Sequence, residues 1–323
     1  MIVLSKNKIR VKQICYIVMP NQQGIDFFDF TDAFGAQREH LCSTDLLTFI
    51  CEHHLDRTMR EDGETIEDDR AFDLRAAFGS SDDSDHTYNT PRAWFMLRSL
   101  NPNTYVWDGA QADFTPESDD LPWCLVPERK VTVEDVKYLL SAHYQGTPFD
   151  PYGKYGDPSE RGKYRPIGIN RNNFLALTQL RPYAPAACMA VEWVAMGSNV
   201  FNAFVPFYAN IERTPDYFAN TTATVSTENF YWANRLIGAL ADAHYPQCKA
   251  HIERYQNKVA NLGHALLTRC DRELPPEGDA PDYLARCNDE ICAAARELTD
   301  TVLGQVLYEG SLKMLNGYSR EDA

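Results

Sequence analysis

The chain has 323 residues, of which 44% are hydrophobic and 24% charged, and its formal net charge is -15. That balance suits a globular chain with a sizeable core and argues against a nucleic-acid partner, because binding a polyanion needs Lys and Arg clustered on one face. No stretch approaches the roughly 20 apolar residues that a membrane-spanning helix needs, so no membrane association is expected.

Lys6, Lys8, Arg10 and Lys12 precede an apolar run at 14–19, but the run is short, ends at Pro20 and lacks a small-residue cleavage site. Residues 1–13 are therefore an atypical leader rather than a signal peptide. Residues 14–19 and 25–30 suit strands, joined by a turn at "NQQG". "CSTDLLTFICEHHL" (42–55) opens with a Ser/Thr/Asp cap and puts Leu46, Phe49 and Ile50 on one helical face. "DRTMREDGETIEDDRAFD" reads as a solvated charged loop. The Pro-, Asp- and Gly-rich stretch from "NPNTYVWDGA" through "SDDLPWCLVPERK" predicts a long ordered excursion pinned by Tyr105, Trp107 and Trp123.

"TVEDVKYLLSAHY" (132–144) predicts a helix capped by Thr132, with Asp135 completing a capping box and Val136, Leu139, Leu140 and His143 on one face. After the loop "YGKYGDPSERGKYRP", the runs "IGINRNNFLALTQLRP" and "CMAVEWVAMGSNVFNAFVPFY" predict strands buried on both faces. From Ser226 onward the pattern is helical, through "STENFYWANRLIGALADAH" and then at 247–270, 281–297 and 299–316. The whole is an α+β pattern without internal repeats, in which helices cover strands in layers. Nine cysteines without Cys-x-x-Cys pairs fit a reducing cytoplasm better than a disulfide framework.

Three constellations bear on chemistry. In "GSSDDSDHTYNTPRAW", Asp82, Asp83, Asp85 and His86 offer ligands to a divalent ion. The run lacks the full calcium-loop spacing and the two-histidine zinc signature, so Asx-turns and a cap ahead of Pro91 are preferred and no metal is assigned. The second constellation sets Asn170, Arg171, Asn172, Asn173, Gln179 and Arg181 on one apolar strand and Ser198, Asn199 and Asn202 at the end of the next. A buried amide or guanidinium must find a partner, and Asn can donate to an oxyanion while Arg grips a carboxylate. The plainer reading makes Asn172 and Asn173 a turn and pairs Arg171 and Arg181 with acids. The third is His143, which at the end of its helix reads more readily as a cap or core residue than as a base. No cofactor motif is recognisable.

The stretches "PNQQGIDFFDF", "AFGSSDDSDHTYNTPRAWFMLR", "DDLPWCLVPERKVTVEDVKYLLSAHYQGTPFDPYGKYGDPSERGKYRPIGINRNNFLALTQLRP", "EWVAMGSNVFNAFVPFYANI" and "STENFYWANRLIGALAD" resemble the bacterial cysteine-type dipeptidases. These are relatives of the secernins among the N-terminal nucleophile hydrolases, and the resemblance runs in order from about residue 14 to the end. It implies an αββα sandwich, a single catalytic-type domain over 1–323, cytoplasmic hydrolysis of dipeptides and no cofactor. Members of the family begin, after processing, with a cysteine followed by a Thr-containing strand. The sequence "PNQQGIDFFDF" lies far into their chains, so the resemblance implies that the family's N-terminal third is not in this sequence.

In such an enzyme the thiol attacks the amide while the same residue's α-amine carries the proton. Met1 and Ile2 cannot do that. Cys15 can serve only after cleavage behind Ile14, and "YIVMPN" departs from the family's start, so Cys15 is expected to be a strand residue facing the core. The expectation is a dipeptidase-family chain, inactive by itself, with Asn170, Arg171, Ser198 and Asn199 lining the site. A non-catalytic interaction protein of the same family is the alternative, and a metallohydrolase the third class. Uncovered strand edges predict self-association, a homo-oligomer included.

Overall fold

A computed structural model describes residues 2–5, 15–20, 29–38, 40–53, 83–122, 124–276 and 279–314. The "NQQG" turn, the expected strand at 25–28, the charged loop at 56–73, Asp82 and Trp123 lie outside the described residues. Helices and two three-stranded antiparallel sheets make up the described chain, an α+β arrangement. It divides into two compact units, Met1–Val131 with Gly162–Arg165 and Thr132–Arg161 with Pro166–Ala323.

In the first unit, strands β1 (Ile2–Ser5), β2 (Cys15–Val18) and β3 (Cys124–Leu125) pair in that order. The register sets Ile2 opposite Val18 and Tyr16 opposite Leu125. Tyr16 is fully buried, and its hydroxyl donates to Asn101 Oδ1 at 2.7 Å. Helix α1 (Phe30–Phe34) corrects the expectation of strand at residues 29 and 30. Asp29 accepts from the amides of Thr31 and Asp32, and an N-cap of that kind commits the chain to a helical turn.

Helix α2 (Leu46–Glu52) occupies the expected place, followed by α3 (Asp85–Tyr88) and α4 (Thr90–Leu100). Pro91 sits in the first turn of α4, where its missing N–H costs nothing, and Trp94, Phe95, Met96 and Leu97 fill this unit's core. The excursion after α4 is pinned as expected by Trp107, whose indole donates to Asn101 O at 2.8 Å, and by Tyr105, whose ring stands edge-on to Trp107 and Phe114.

The second unit opens with α5 (Val133–Leu140), whose capping box is the one the sequence predicts: Asp135 N donates to Thr132 Oγ1 and Thr132 N to Asp135 Oδ2. Its sheet runs β4 (Phe174–Leu180), β5 (Ala190–Met196) and β6 (Val205–Tyr208). Phe174 pairs with Met196, and Val191 with Tyr208. The expectation of strands buried on both faces holds for β6 alone. Along β5, Val191, Trp193 and Ala195 are fully buried while their neighbours are half-exposed, and outer strand β4 leaves Phe174 and Leu180 exposed. Side chains alternate across the pleat, so the face of Val191, Trp193 and Ala195 turns to the core while the opposite face, with Phe174, Leu180 and the pair in which Thr178 donates to Glu192 at 2.7 Å, stays partly exposed.

Helices α6 (Asp216–Ala219), α7 (Phe230–Ala243), α8 (Tyr245–Arg272) and α9 (Ala280–Ser311) complete the unit. The two helices expected at 281–297 and 299–316 are one, since no Gly or Pro stands at the junction to end the first. Gly263 lets α8 lie close on the sheet: a Cβ there would stand 2.9 Å from Pro206 of β6. On the other side, buried Asn288 of α9 accepts from Tyr208 N at 2.9 Å and donates to Tyr208 O at 3.1 Å, satisfying backbone groups that a further strand would otherwise take.

Candidate functional site

The polar cluster of the second unit forms where α5 meets the turn after β5. Gly197 takes φ +80, a left-handed conformation that a residue with a Cβ adopts only under strain, and this turns the chain sharply into 198–202. Asn202 is fully buried and its amide donates to Met196 O at 2.9 Å. Gln256 of α8 donates to Val200 O and Asn202 O at 3.0 and 2.9 Å, so the turn is fastened from both sides. Asn199 closes the junction with α5: its amide donates to Leu140 O at 3.4 Å.

Lys137 is the group this framework surrounds. Its ammonium donates to Ser141 Oγ at 2.5 Å and Asn199 O at 2.8 Å, with the Phe204 ring 5.9 Å away. The residue is 9% exposed, and burial pulls its pKa from 10.5 down to about 7. Beside it opens a cavity of about 430 Å³, lined among others by Lys137, Ser141, His143, Trp193, Phe204 and Tyr245.

His143 lies just past the end of α5 and is buried. Its Nδ1 is 2.8 Å from Asp150 Oδ1 and its Nε2 3.2 Å from the Tyr245 hydroxyl. Tyr152 stacks on Tyr245 and donates its hydroxyl to Asp242, while burial, helped by Asp150, pushes the Tyr245 hydroxyl up to about 12. The loop that presents His143 is held by Gly168, whose amide donates to Ala142 O at 2.8 Å and whose missing Cβ would fall 2.3 Å from Ser141 O. His143 is thus a satisfied core histidine at the cavity's border, the plainer of the two readings.

The four expected site residues divide into two pairs. Ser198 and Asn199 are buried in the turn after β5, and Asn199 touches the cavity's lysine through its carbonyl. Asn170 and Arg171 are exposed and precede β4 rather than lying within it. Asn172 N donates to Ile169 O at 3.1 Å, a turn that delays the strand to Phe174. This turn touches the other at one point, where Gly197 N donates to Asn173 O at 3.0 Å. Arg181 pairs with Asp271, and Gln179 accepts from the Trp193 indole at 3.0 Å. Lys137 and Gln256 escaped the sequence reading. The signal for Lys137 was its i,i+4 spacing to Ser141, which places both on one helical face.

In the other constellation, Asp83 is exposed, buried Asp85 accepts from the Asn89 amide, and His86 Nε2 is 2.9 Å from Asp119 Oδ1. Among the described residues no three His, Cys, Asp or Glu side chains stand together as metal ligands. The backbone of Cys15 pairs opposite Ser5 in the first sheet. Burial raises the thiol pKa of Cys188, Cys248, Cys287 and Cys292, the last to about 11.

Residues 7–258 match the model of peptidase family C69. The chain is 45% identical to the "Dipeptidase" of Bifidobacterium longum (strain NCC 2705) over 97% of its own length and 65% of that protein's. It is 43% identical to the "Probable dipeptidase A" of Streptococcus pyogenes serotype M18, over 97% of this chain and 62% of that one. With the "Dipeptidase A" of Lactobacillus helveticus the identity is 32%, over 93% and 59%. The chain therefore spans less than two thirds of the length of these curated relatives. Among the described residues no helix is long and apolar enough to cross a membrane.

Proposed function

The chain belongs to peptidase family C69, a family of cysteine-type dipeptidases, and we propose that its function is the hydrolysis of dipeptides. The observation that carries this reading is the match of 97% of the chain, at 45% identity, to a dipeptidase. In this proposal residues 1–323 form one catalytic-type domain, an αββα sandwich of the N-terminal nucleophile kind. Asn170, Arg171, Ser198 and Asn199 line the site, where the amides are suited to donate to an oxyanion and the guanidinium to hold the dipeptide's carboxylate.

The reaction is an acyl transfer to a cysteine thiolate. Sulfur attacks the amide carbonyl, the departing amine takes the proton from the nucleophile's own α-amine, and water then releases the acid. The buried thiols of Cys188, Cys248, Cys287 and Cys292 are poor candidates, because their raised pKa values keep them protonated at neutral pH. Residues 1–323 by themselves are accordingly proposed to be inactive on dipeptides. A reducing cytoplasm suits Cys42, Cys124, Cys188, Cys248, Cys270, Cys287 and Cys292, which are free thiols.

The test is a dipeptide assay on two proteins: the chain by itself, and the chain fused behind the N-terminal segment of the Bifidobacterium longum relative. Turnover in the fusion alone, abolished by Cys→Ala at its processed N-terminus, is the expected result. Cysteine-dependent turnover by the chain alone, lost in Cys15→Ala, would instead make Cys15 the nucleophile. A well-folded fusion without turnover would leave the non-catalytic interaction role.

A further inference from the structure

The cavity beside α5 contains a charge that the described protein does not balance. Lys137 is 9% exposed, and its ammonium meets only neutral acceptors, Ser141 Oγ and Asn199 O. No carboxylate forms an ion pair with it among the described residues. Buried lysines are ordinarily paired, since a charge that loses its hydration needs a partner to offset the loss. An ammonium has three N–H donors, and two of them are used here.

The rest of the wall is chemically specific. Trp193, Val200, Phe204 and Ile252 give it an apolar side, and Glu134, Asp135 and Glu253 also border it. The volume of about 430 Å³ lies within the roughly 300–1,000 Å³ of small-molecule sites. Trp193 is clamped by Gln179, and Gln256 by the 198–202 turn, so the walls are pre-formed.

We propose that this cavity is a binding site for a small monocarboxylate with an apolar body, whose carboxylate supplies the counter-charge to Lys137. A carboxylate beside the nitrogen favours its charged form and accepts the third N–H, while the apolar body packs against Val200, Phe204 and Ile252. A single ammonium matches a single carboxylate, and the wall's acids, of which Glu253 is paired with the lining Lys249 and Glu134 with His264, disfavour a second negative charge such as that of phosphate or a dicarboxylate. The inference does not rest on the hydrolase reading, and its test measures binding rather than turnover.

The experiment is calorimetric titration of the full chain with 3-phenylpropionate, with its uncharged isostere 3-phenylpropanamide and with inorganic phosphate, followed in parallel by tryptophan fluorescence. The acid should bind at least about tenfold more tightly than the amide, the difference that one charge-assisted hydrogen bond makes, and phosphate should not compete. In Lys137→Met, which keeps the volume and removes the charge, the acid should weaken to the level of the amide. The acid–amide comparison in the unaltered chain stands even if that variant folds poorly. Equal affinity for acid and amide, no saturable binding of the acid, or an unchanged affinity in a folded Lys137→Met protein would each overturn the site.

Discussion

Arg181 and Asp271 meet as a two-pronged ion pair, Nη1 to Oδ2 at 2.6 Å and Nη2 to Oδ1 at 3.1 Å, which ties the residue after β4 to the last turn of α8. Tyr208 of β6 donates its hydroxyl to the same carboxylate at 2.8 Å, so three elements converge on one acid. The Arg181 side chain is 7% exposed, and removing its partner strands a buried guanidinium. Asp271→Ala should therefore lower unfolding free energy by about 3 kcal/mol in urea denaturation. The double change Arg181→Met with Asp271→Leu should recover most of that loss, because apolar packing replaces the pair without leaving a charge. Equal losses in the single and double variants would contradict this account.

Two glycines should respond in opposite directions. At Gly263 an added methyl meets Pro206 at 2.9 Å on an element that cannot yield locally, so Gly263→Ala should cost about 1–3 kcal/mol. At Gly304 of α9 nothing stands within 4 Å of an added Cβ, and the position is exposed. Gly304→Ala should stabilise by roughly 0.5–1 kcal/mol through helix propensity alone. Thermal melts of the two variants side by side check both signs.

Lys137 should leave a signature in the pH dependence of stability. Its folded pKa, about 7, lies below the unfolded value of 10.5. Between those values the unfolded chain holds a proton that the folded chain lacks, so this group's contribution to unfolding free energy rises with pH across that window. Below about 7 the full penalty of a buried charge is present. Lys137→Met should consequently gain most over the parent near pH 6 and progressively less toward pH 9.5. Denaturation midpoints and slopes of the two proteins, taken at the same pH values, cancel every other titrating group. A difference that does not vary with pH would show that Lys137 keeps an ordinary pKa.

Local signals were legible in the sequence because they are written in adjacent residues. The capping box of Thr132 and Asp135 needs no partner beyond its own turn, and Pro91 marks the start of α4 for the same reason. The amphipathic pattern after Ser226 declares helix, although it also predicts a break between 297 and 299 where the structure has one continuous helix. Asp29 is the converse case. The hydrophobic run "DFFDF" suits a strand, yet its final residue is helical, because one carboxylate close enough to two amides outweighs a weak strand preference.

The sequence by itself determined the α+β character, the family resemblance and the places of α5, β5 and the long helices, since these follow from periodicity, capping and ordered motifs. Only the tertiary structure decided which polar residues would be desolvated. Asn170 and Ser198 look alike in their runs, but one is exposed in a turn and the other buried between β5 and α7. Lys137 reads as an ordinary helical lysine until Asn199, Ser141 and Phe204, two of them distant in sequence, close around it. Burial is a property of neighbours that the chain brings together only on folding, and the free energy of a charge depends on those neighbours far more than on the residues beside it in sequence.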